Sequence, residues 1–352
     1  VPVLNEERYI AACLTTLLHD AAALDAEILV LDGGSTDRTP AIVAELGAAH
    51  RRIRLLQNPV RLQSAAVNLA ARVAPGDLTV LVRADAHAAY PPGFIGTCLA
   101  ALREHGATSV VVPMRTVGTT GMQRAIAALQ NSWLGNGGSA HRAGRSSGFV
   151  AHGHHAAFDR AFFRRIGGYD ETFAHNEDAE HDERSRRAGG RIWMCAEATI
   201  TYFPRAALGE LARQYFAHGT GRARTLVKHR MWPRSRQLAA PVVLAGSLGG
   251  IALAPLSAWC AAAPLTYGCA CLAWGVVAAV RARDPWLLGI APAAMTIHFA
   301  WAAGFYRALL RTAWERRDGP RAPPQAADDL GRQKAGGSAP YPAGAWRPQT
   351  PK

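Results

Sequence analysis

Three things are missing from this sequence, and each absence narrows its function. The 352-residue chain has six cysteines, Cys13, Cys98, Cys195, Cys260, Cys269 and Cys271, with no C-x-x-C pair among them. Neither a disulfide framework nor a cysteine-based zinc site is indicated, and a reducing compartment suits the chain. Neither G-x-G-x-x-G nor G-x-x-x-x-G-K-[ST] occurs, which removes the dinucleotide fingerprint and the P-loop. Between Leu238 and Val280 there is no charged residue, whereas about 20 apolar residues suffice to cross a bilayer. A signal-peptide pattern is also absent. The chain lacks an initiating Met and opens Val1-Pro2-Val3-Leu4, mid-strand by pattern, so a few preceding residues are expected to be missing.

What the sequence has in excess is positive charge, with a net +13 and a pI of about 10.1. Much of it lies between Arg213 and Arg236, where Arg222, Arg224, Lys228, Arg230, Arg234 and Arg236 meet no acidic residue. These side chains are not interleaved with aromatics, as a single-strand groove requires, so no nucleic-acid partner is expected. A basic run directly before an apolar span marks membrane-surface contact and the cytoplasmic side. Pro255 and Pro264 divide the apolar region into spans near 238–258 and 264–280, and 286–306 forms a third, interrupted by Pro292 and His298. Three crossings would export the basic tail from Arg307 onward, against the positive-inside rule. Either the third segment is re-entrant or interfacial, or the tail tolerates export. Residues 319–352, rich in Pro, Gly and Ala, are expected to be disordered.

The first third of the chain alternates short apolar runs with helical periodicity. Strands are predicted over 1–4, 28–31, 53–56, 78–82 and 109–113, and helices over 6–18, 39–46, 62–73 and 94–105. Continuous apolar strands separated by helices indicate a mostly parallel sheet covered on both faces, in which ligands lie beyond the carboxyl ends of the strands. Three polar clusters fall at those ends: Asn5-Glu6, Asp32-Gly33-Gly34-Ser35-Thr36-Asp37 and Arg83-Ala84-Asp85-Ala86-His87. Asp32 could accept hydrogen bonds from a ribose or a base. It could equally shape an Asx-turn in which Ser35 or Thr36 caps the next helix. Asp85 and His87 offer an oxygen and a nitrogen ligand that, with phosphate oxygens, suit Mg²⁺ or Mn²⁺.

The acidic exception is the segment 169–184. Within it Asn176-Glu177-Asp178 opens a predicted helix that runs to Arg187 and stops at Gly189-Gly190. A carboxylate at a helix N-terminus stays ionised near neutral pH and could take a proton from a substrate hydroxyl; Asp178 and Glu180 could also serve only as solubilising caps. Residues 122–153, rich in Gly, Ser and Ala, read as a mobile loop able to cover an acceptor. His152, His154 and His155 look ligand-like, although a zinc site is not expected there, and His175 and His181 flank Asp178 without an assigned role. Residues 198–203 read as extended and 208–218 as helical.

Taken in order, Pro2-Val3-Leu4-Asn5-Glu6, Asp32-Gly33-Gly34-Ser35-Thr36-Asp37, Arg83-Ala84-Asp85-Ala86-His87 and Asn176-Glu177-Asp178-Ala179-Glu180 resemble the motifs of inverting family 2 glycosyltransferases. The similarity is to the succinoglycan-type exopolysaccharide glucosyltransferases, and it spans about residues 1–230 by motif. The resemblance implies a GT-A fold that binds a UDP-sugar as donor. Pro2, Leu4, Glu6, Asp32, Ser35, Ala84 and Asp85 would line the donor site, and Asp85 would stand at the family's Asp-x-Asp motif on a divalent cation. Asp178 would be the base on the acceptor hydroxyl. His87 replaces the second Asp of that motif, and the Gln-x-x-Arg-Trp of processive synthases is missing, so one sugar per acceptor is expected.

The resulting expectation is a cytoplasmic catalytic domain over 1–230, a membrane region of two to three helices over 238–306 and a disordered tail over 319–352. The implied activity is transfer of a hexose, glucose first, to a lipid-linked saccharide at the inner or plasma membrane, beside polysaccharide-assembly partners. Arg222 and Arg224 could meet a lipid-linked diphosphate or simply the membrane surface. The alternatives are a polyprenyl-phosphate sugar transferase and a non-catalytic nucleotide-sugar-binding membrane scaffold.

Overall fold

The computed structural model describes residues 1–138 and 146–318. Strands β1 (Pro2–Val3), β2 (Ile28–Asp32) and β3 (Ile53–Gln57) form an all-parallel sheet in the order β1-β2-β3. The apolar run of β2 is buried along most of its length, so both faces need covering and the connections must be crossovers. The helices Ile10–Ala23 and Thr39–Ala49 make them.

Beyond this sheet the strands are mixed. β4 (Val80–Val82), β6 (Ser109–Val112), β8 (Gly148–Phe149), β9 (His154–Asp159) and β10 (Ile192–Met194) form a second sheet in the order β4-β9-β6-β10-β8. β9 runs antiparallel to both β4 and β6, while β10 is parallel to β6. β5 (Ala88–Ala89), β7 (Met114–Thr116) and β11 (Ile200–Tyr202) make a small third sheet with β11 central. Ile10, Leu14, Val30, Phe94, Val110 and Ile200, from helices and strands of all three sheets, share one core.

In β9, Ala157 pairs with Val110 and His155 with Val111, so Ala156 has no partner. Such a one-residue bulge locally re-aims the side chains of its strand. It falls beside His154 and His155.

The segment expected to be a loop over 122–153 is largely structured. Gly121–Gln130 is a helix, started by a capping box in which Thr120 and Gln123 serve each other's backbone. Its buried Ala125, Ile126 and Leu129 pack on Leu211 and on Ile290, Ala293, Ala294 and Ile297. That apolar face explains why a Gly- and Ala-rich segment is helical. A short helix, Trp133–Asn136, and β8 follow, whereas residues 139–145 lie outside the described residues, as does the tail 319–352.

The helix predicted over 208–218 continues to His229 straight through two glycines. These glycines are contact points, not breaks. A Cβ at Gly219 would stand 1.9 Å from the carbonyl oxygen of Trp301, and one at Gly221 would stand 2.6 Å from Asn176 Cβ. Reciprocally, a Cβ at Gly304 would meet Phe216 O at 2.0 Å. Helix Leu208–His229 is therefore pressed backbone to backbone against helix Ile290–Asp318.

Three helical segments are long and apolar enough to cross a membrane: Ser235–Leu253, Ala258–Ala282 and Pro285–Trp314, with mean hydropathies of 1.3, 1.6 and 1.4. The first two have 11% of their apolar window buried within the protein and the third 44%. That difference has a plain cause. The third packs on helix Gly121–Gln130 through Ile290 to Ile297, and on Ala223 and Leu226 through Phe305 and Ala308.

Candidate active site

The strand-end clusters converge. Asn5 turns the chain at the end of β1 with φ of 57°, a left-handed conformation that Asn tolerates better than most residues. Its Oδ1 accepts from Thr36 N at 2.8 Å, and its own N–H donates to Ser35 Oγ at 2.8 Å. Glu6 N–H donates to Thr39 Oγ1 at 2.8 Å. The loops after β1 and β2 are thus stitched together.

Asp32 itself is 2% exposed; its carboxylate accepts from Gly34 N and Ser35 N, and from Ser35 Oγ at 2.5 Å. It shapes the Asx-turn, with Ser35 as its partner. The following helix has Arg38 at its N-cap position with no side-chain cap from Ser35 or Thr36; its first N–H, that of Thr39, donates instead to Asp37 Oδ1 at 2.9 Å. Pro2 lies on β1, Leu4 follows it half-buried, and Ala84 is buried next to Asp85.

Glu6 joins the loop after β1 to the loop after β4, with Oε1 at 3.1 Å from His87 Nδ1. Burial opposes a charge on His87, but the Glu6 bond outweighs it and raises the His87 pKa. Asp85 accepts from Gln63 Nε2 at 2.6 Å and lies 3.4 Å from Arg83 Nε, both on Oδ1. Burial would raise its pKa, yet the Arg83 guanidinium above all holds it below the usual range.

Arg83 is the link the motif reading left without a role. It is 6% exposed, and its Nη1 donates to Asp178 Oδ1 at 2.6 Å and to Tyr169 Oη at 3.1 Å. One guanidinium therefore ties the carboxylate after β4 to the carboxylate opening the acidic helix Glu177–Arg187. That helix begins after Asn176 at φ 66° and is followed by Gly189 at φ 80°. Glu177, Asp178 and Glu180 occupy its first turn and Arg184, Arg186 and Arg187 its last, each sign at the helix end that stabilises it.

Asp178 also receives Tyr169 Oη–H at 2.8 Å and has His155 Nδ1 at 3.1 Å, again on Oδ1. Burial would raise its pKa; the charges of Arg83 and His155 hold it well below the carboxylate range. Its Oδ2 has His154 Nδ1 at 4.0 Å, and among the described residues no hydrogen bond ends on that oxygen. His154 Nε2 is 3.7 Å from Asp85 Oδ2, so this ring lies between the two carboxylates. Burial pushes its pKa down to about 4, leaving it neutral. Glu177, 3.8 Å from Arg83, is pushed up to about 7 by burial and by the charge of Asp178.

Behind Asp178 runs a buried chain of charges. His155 Nε2 lies 2.7 Å from Asp182 Oδ1, and Asp182 Oδ2 lies 2.6 Å from His152 Nδ1. Burial opposes a charge on His155, but Asp182 and Asp178 outweigh it and raise its pKa to about 10. His155 is thus an imidazolium bridging two carboxylates. His181, which flanks Asp178 in sequence, is enclosed by Phe158, Phe163, Tyr169 and the His155 ring. Burial, then the charge on His155, pushes its pKa down to about 3. His155, His181 and Asp182 hold ligand-type atoms within 4.8 Å of one another, but both nitrogens of His155 already face carboxylates. The group reads as a charge network, not a metal cage.

The sequence could have pointed to His154 and His155 only as a His pair. Their role depends on the β9 bulge and on long-range pairing that no local pattern reveals.

The comparisons with known proteins bear on the family and the fold. The family model described as glycosyl transferase family 2 matches residues 1–167. The chain is 44% identical over 311 residues to succinoglycan biosynthesis protein ExoA of Rhizobium meliloti (strain 1021), covering 88% of this chain and 94% of that protein. A shorter stretch of 90 residues is 36% identical to dolichyl N-acetyl-alpha-D-glucosaminyl phosphate 3-beta-D-2,3-diacetamido-2,3-dideoxy-beta-D-glucuronosyltransferase of Methanococcus voltae, covering 25% of this chain and 28% of that one. Among solved structures, a Pyrobaculum calidifontis mannosyltransferase in complex with GDP-Man and Mn²⁺ superimposes with a TM-score of 0.53, at 18% identity, covering 88% of this chain and 86% of that one. The fold is GT-A-like, and the chain belongs to family 2 of the glycosyltransferases, among the ExoA-like members.

Proposed function

We propose that this glycosyltransferase moves a hexose, glucose first, from a UDP-sugar to a hydroxyl of a lipid-linked saccharide in exopolysaccharide synthesis, with inversion. One observation carries the reading: Arg83 couples a carboxylate on the proposed donor side, Asp85, to Asp178, whose Oδ2 accepts no hydrogen bond among the described residues. Asp178 Oδ2 takes the proton of the acceptor hydroxyl. The oxygen then forms its bond to the anomeric carbon as the bond from that carbon to UDP breaks, and the electron pair leaves with the diphosphate. A base that is ionised at neutral pH and aimed by three bonds on its other oxygen suits that step.

Asp85 and His87 fit a divalent cation. The Asp85 carboxylate is ionised, and His87 spends Nδ1 on Glu6, which leaves Nε2 to ligate in the carboxylate–histidine–metal arrangement. Bound there, Mn²⁺ or Mg²⁺ would offset charge developing on the leaving diphosphate. Pro2, Leu4, Glu6, Asp32, Ser35 and Ala84 would surround the nucleotide, with Asp32 acting through the turn it holds.

Glu177 is a second candidate base, favoured by its pKa of about 7, near which a general base works best. For the membrane, the reading is two crossings, with the third apolar helix lying along the catalytic domain. The basic tail then stays on the cytoplasmic side with the basic segment before Ser235, as positive charge prefers.

The test is UDP release across a panel of UDP-sugars, in membranes bearing lipid-linked acceptors, with Mn²⁺, with Mg²⁺ and with chelator. Metal-dependent release from one donor, lost in Asp178→Asn and Asp85→Ala, is expected. UDP binding without release from any donor would favour a non-catalytic binder. Release that survives Asp178→Asn but not Glu177→Gln would transfer the base to Glu177.

A further inference from the structure

Strand β9 brings two histidines to Asp178, and they differ in what their rings already bind. Both ring nitrogens of His155 face carboxylates, Asp178 at 3.1 Å and Asp182 at 2.7 Å. His154 is different: neither of its ring nitrogens makes a hydrogen bond among the described residues. Its Nε2 stands 3.7 Å from Asp85 Oδ2 and its Nδ1 stands 4.0 Å from Asp178 Oδ2, both too far for a direct bond. The side chain is 15% exposed, so solvent reaches the ring.

The ring is held in place by its neighbours in the strand. Gly153 N–H donates to Asp182 Oδ2 at 3.3 Å, and a Cβ on Gly153 would stand 2.5 Å from Val111 Cγ2, so the chain lies tight on β6. His155 anchors the next position from within the buried charge chain. A side chain with unspent polar atoms, on a backbone fixed at both sides, is organised in advance for a ligand. Whatever its charge, the imidazole offers at least one N–H donor.

We propose that His154 hydrogen-bonds a hydroxyl of the hexose being transferred and so helps set which hexose the enzyme accepts. The inference rests on the transferase reading above. In an in-line displacement the anomeric carbon lies between the leaving diphosphate, on the Asp85 side, and the attacking hydroxyl, on the Asp178 side. A ring with one nitrogen nearest each carboxylate therefore borders the space the hexose must fill. Each gap is wider than one hydrogen bond and narrower than two end to end, so a sugar hydroxyl there can bond the ring and the carboxylate together. A cation is disfavoured at this ring, because among the described residues His154 belongs to no group of three ligand-type side chains within 4.8 Å. A site that bonds a particular hydroxyl rejects sugars that lack it or hold it in the other configuration.

The test measures binding to the full chain in lipid nanodiscs with Mn²⁺ and no acceptor, so it does not depend on turnover. The probes are UDP, UDP-glucose, UDP-galactose and the monodeoxy forms of whichever hexose binds more tightly. His154→Phe keeps a flat ring without nitrogens; it should weaken the UDP-hexose by about fivefold or more and UDP by under about twofold. His154→Gln, which keeps a donor and an acceptor, should lose less. One monodeoxy donor should already bind wild type more weakly and lose nothing further in His154→Phe, the non-additivity of a direct contact. Should His154→Phe fail to fold, His154→Ala is read in its place. Unchanged UDP-hexose binding beside intact UDP binding overturns the proposal, as do losses that add for every monodeoxy form. Equal weakening of UDP and UDP-hexose overturns it in favour of a role in the nucleotide or cation site. A wild type that binds neither UDP nor any UDP-hexose overturns the transferase reading itself, and the proposal with it.

Discussion

Replacing His155 with Gln tests the buried charge chain behind Asp178. His155 is fully buried and lies 3.1 Å from Asp178 and 2.7 Å from Asp182, itself 1% exposed. Removing the cation leaves two carboxylates without their shared partner, and breaking a buried ion pair in this way costs about 3–5 kcal/mol. At about 2–4 °C per kcal/mol for a domain of this size, the melting temperature should fall by roughly 6–20 °C. The pH dependence gives a second, independent reading. The folded pKa of His155 is raised to about 10 from the ordinary histidine value of 6.5. Its contribution is therefore complete below about pH 6.5 and is lost at about 1.4 kcal/mol per pH unit as pH rises toward the folded value. The gap in melting temperature between wild type and His155→Gln should be widest at pH 6 and much narrower at pH 9. Intrinsic tryptophan fluorescence of the full chain in detergent follows both. A drop below about 3 °C at pH 6, or a gap that is the same at both pH values, would refute the bridging imidazolium.

Other expectations follow from the same geometry. Asp178→Asn should lower kcat by about 10²–10⁴ with little change in donor KM, read as UDP release, because it removes the proposed proton acceptor and leaves the proposed donor site in place. Asp85→Ala should show no release at Mn²⁺ concentrations that saturate wild type, and a metal titration should need at least about tenfold more Mn²⁺ to restore it. Gly219→Ala should destabilise the chain by about 1–3 kcal/mol, since its Cβ would meet the Trp301 carbonyl at 1.9 Å, and a thermal melt would show it. A cysteine placed at Ala322, in a background with the accessible Cys260 and Cys269 both replaced by Ser, should react with a membrane-impermeant maleimide only in inverted vesicles. Labelling from the outside would make the third apolar helix a true crossing.

Much of this fold is written in local pattern. The strand predicted over 28–31 is β2, one residue longer, and the helix predicted from Asn176 to Arg187 starts at Glu177 and ends where expected. A continuous apolar run, a left-handed entry residue and a Gly exit act within a few residues, so a sequence displays them. The rest depends on long-range pairing. β9 returns antiparallel between β4 and β6 and carries a bulge, and only that register brings His155 against Asp178 and Asp182. Gly219 and Gly221 read as a helix break in isolation, whereas here they let other backbones approach. In the same way, Asp178 was legible as a candidate, but Arg83 as the bridge between Asp85 and Asp178 was not, because the two carboxylates are far apart in the chain.

The backbone contacts at Gly219 and Gly304 have a geometric consequence. With no side chain between them, the two helices have no slack, and Gly221 against Asn176 passes that rigidity to the residue before Glu177 and Asp178. In the proposed transfer, an acceptor anchored by its lipid would present its terminal hydroxyl to Asp178 only if the intervening sugars span the distance from the membrane to that fixed carboxylate. The mount acts as a ruler. It would select acceptors by the number of sugars already attached, so that each enzyme of an assembly series could recognise its turn by length alone.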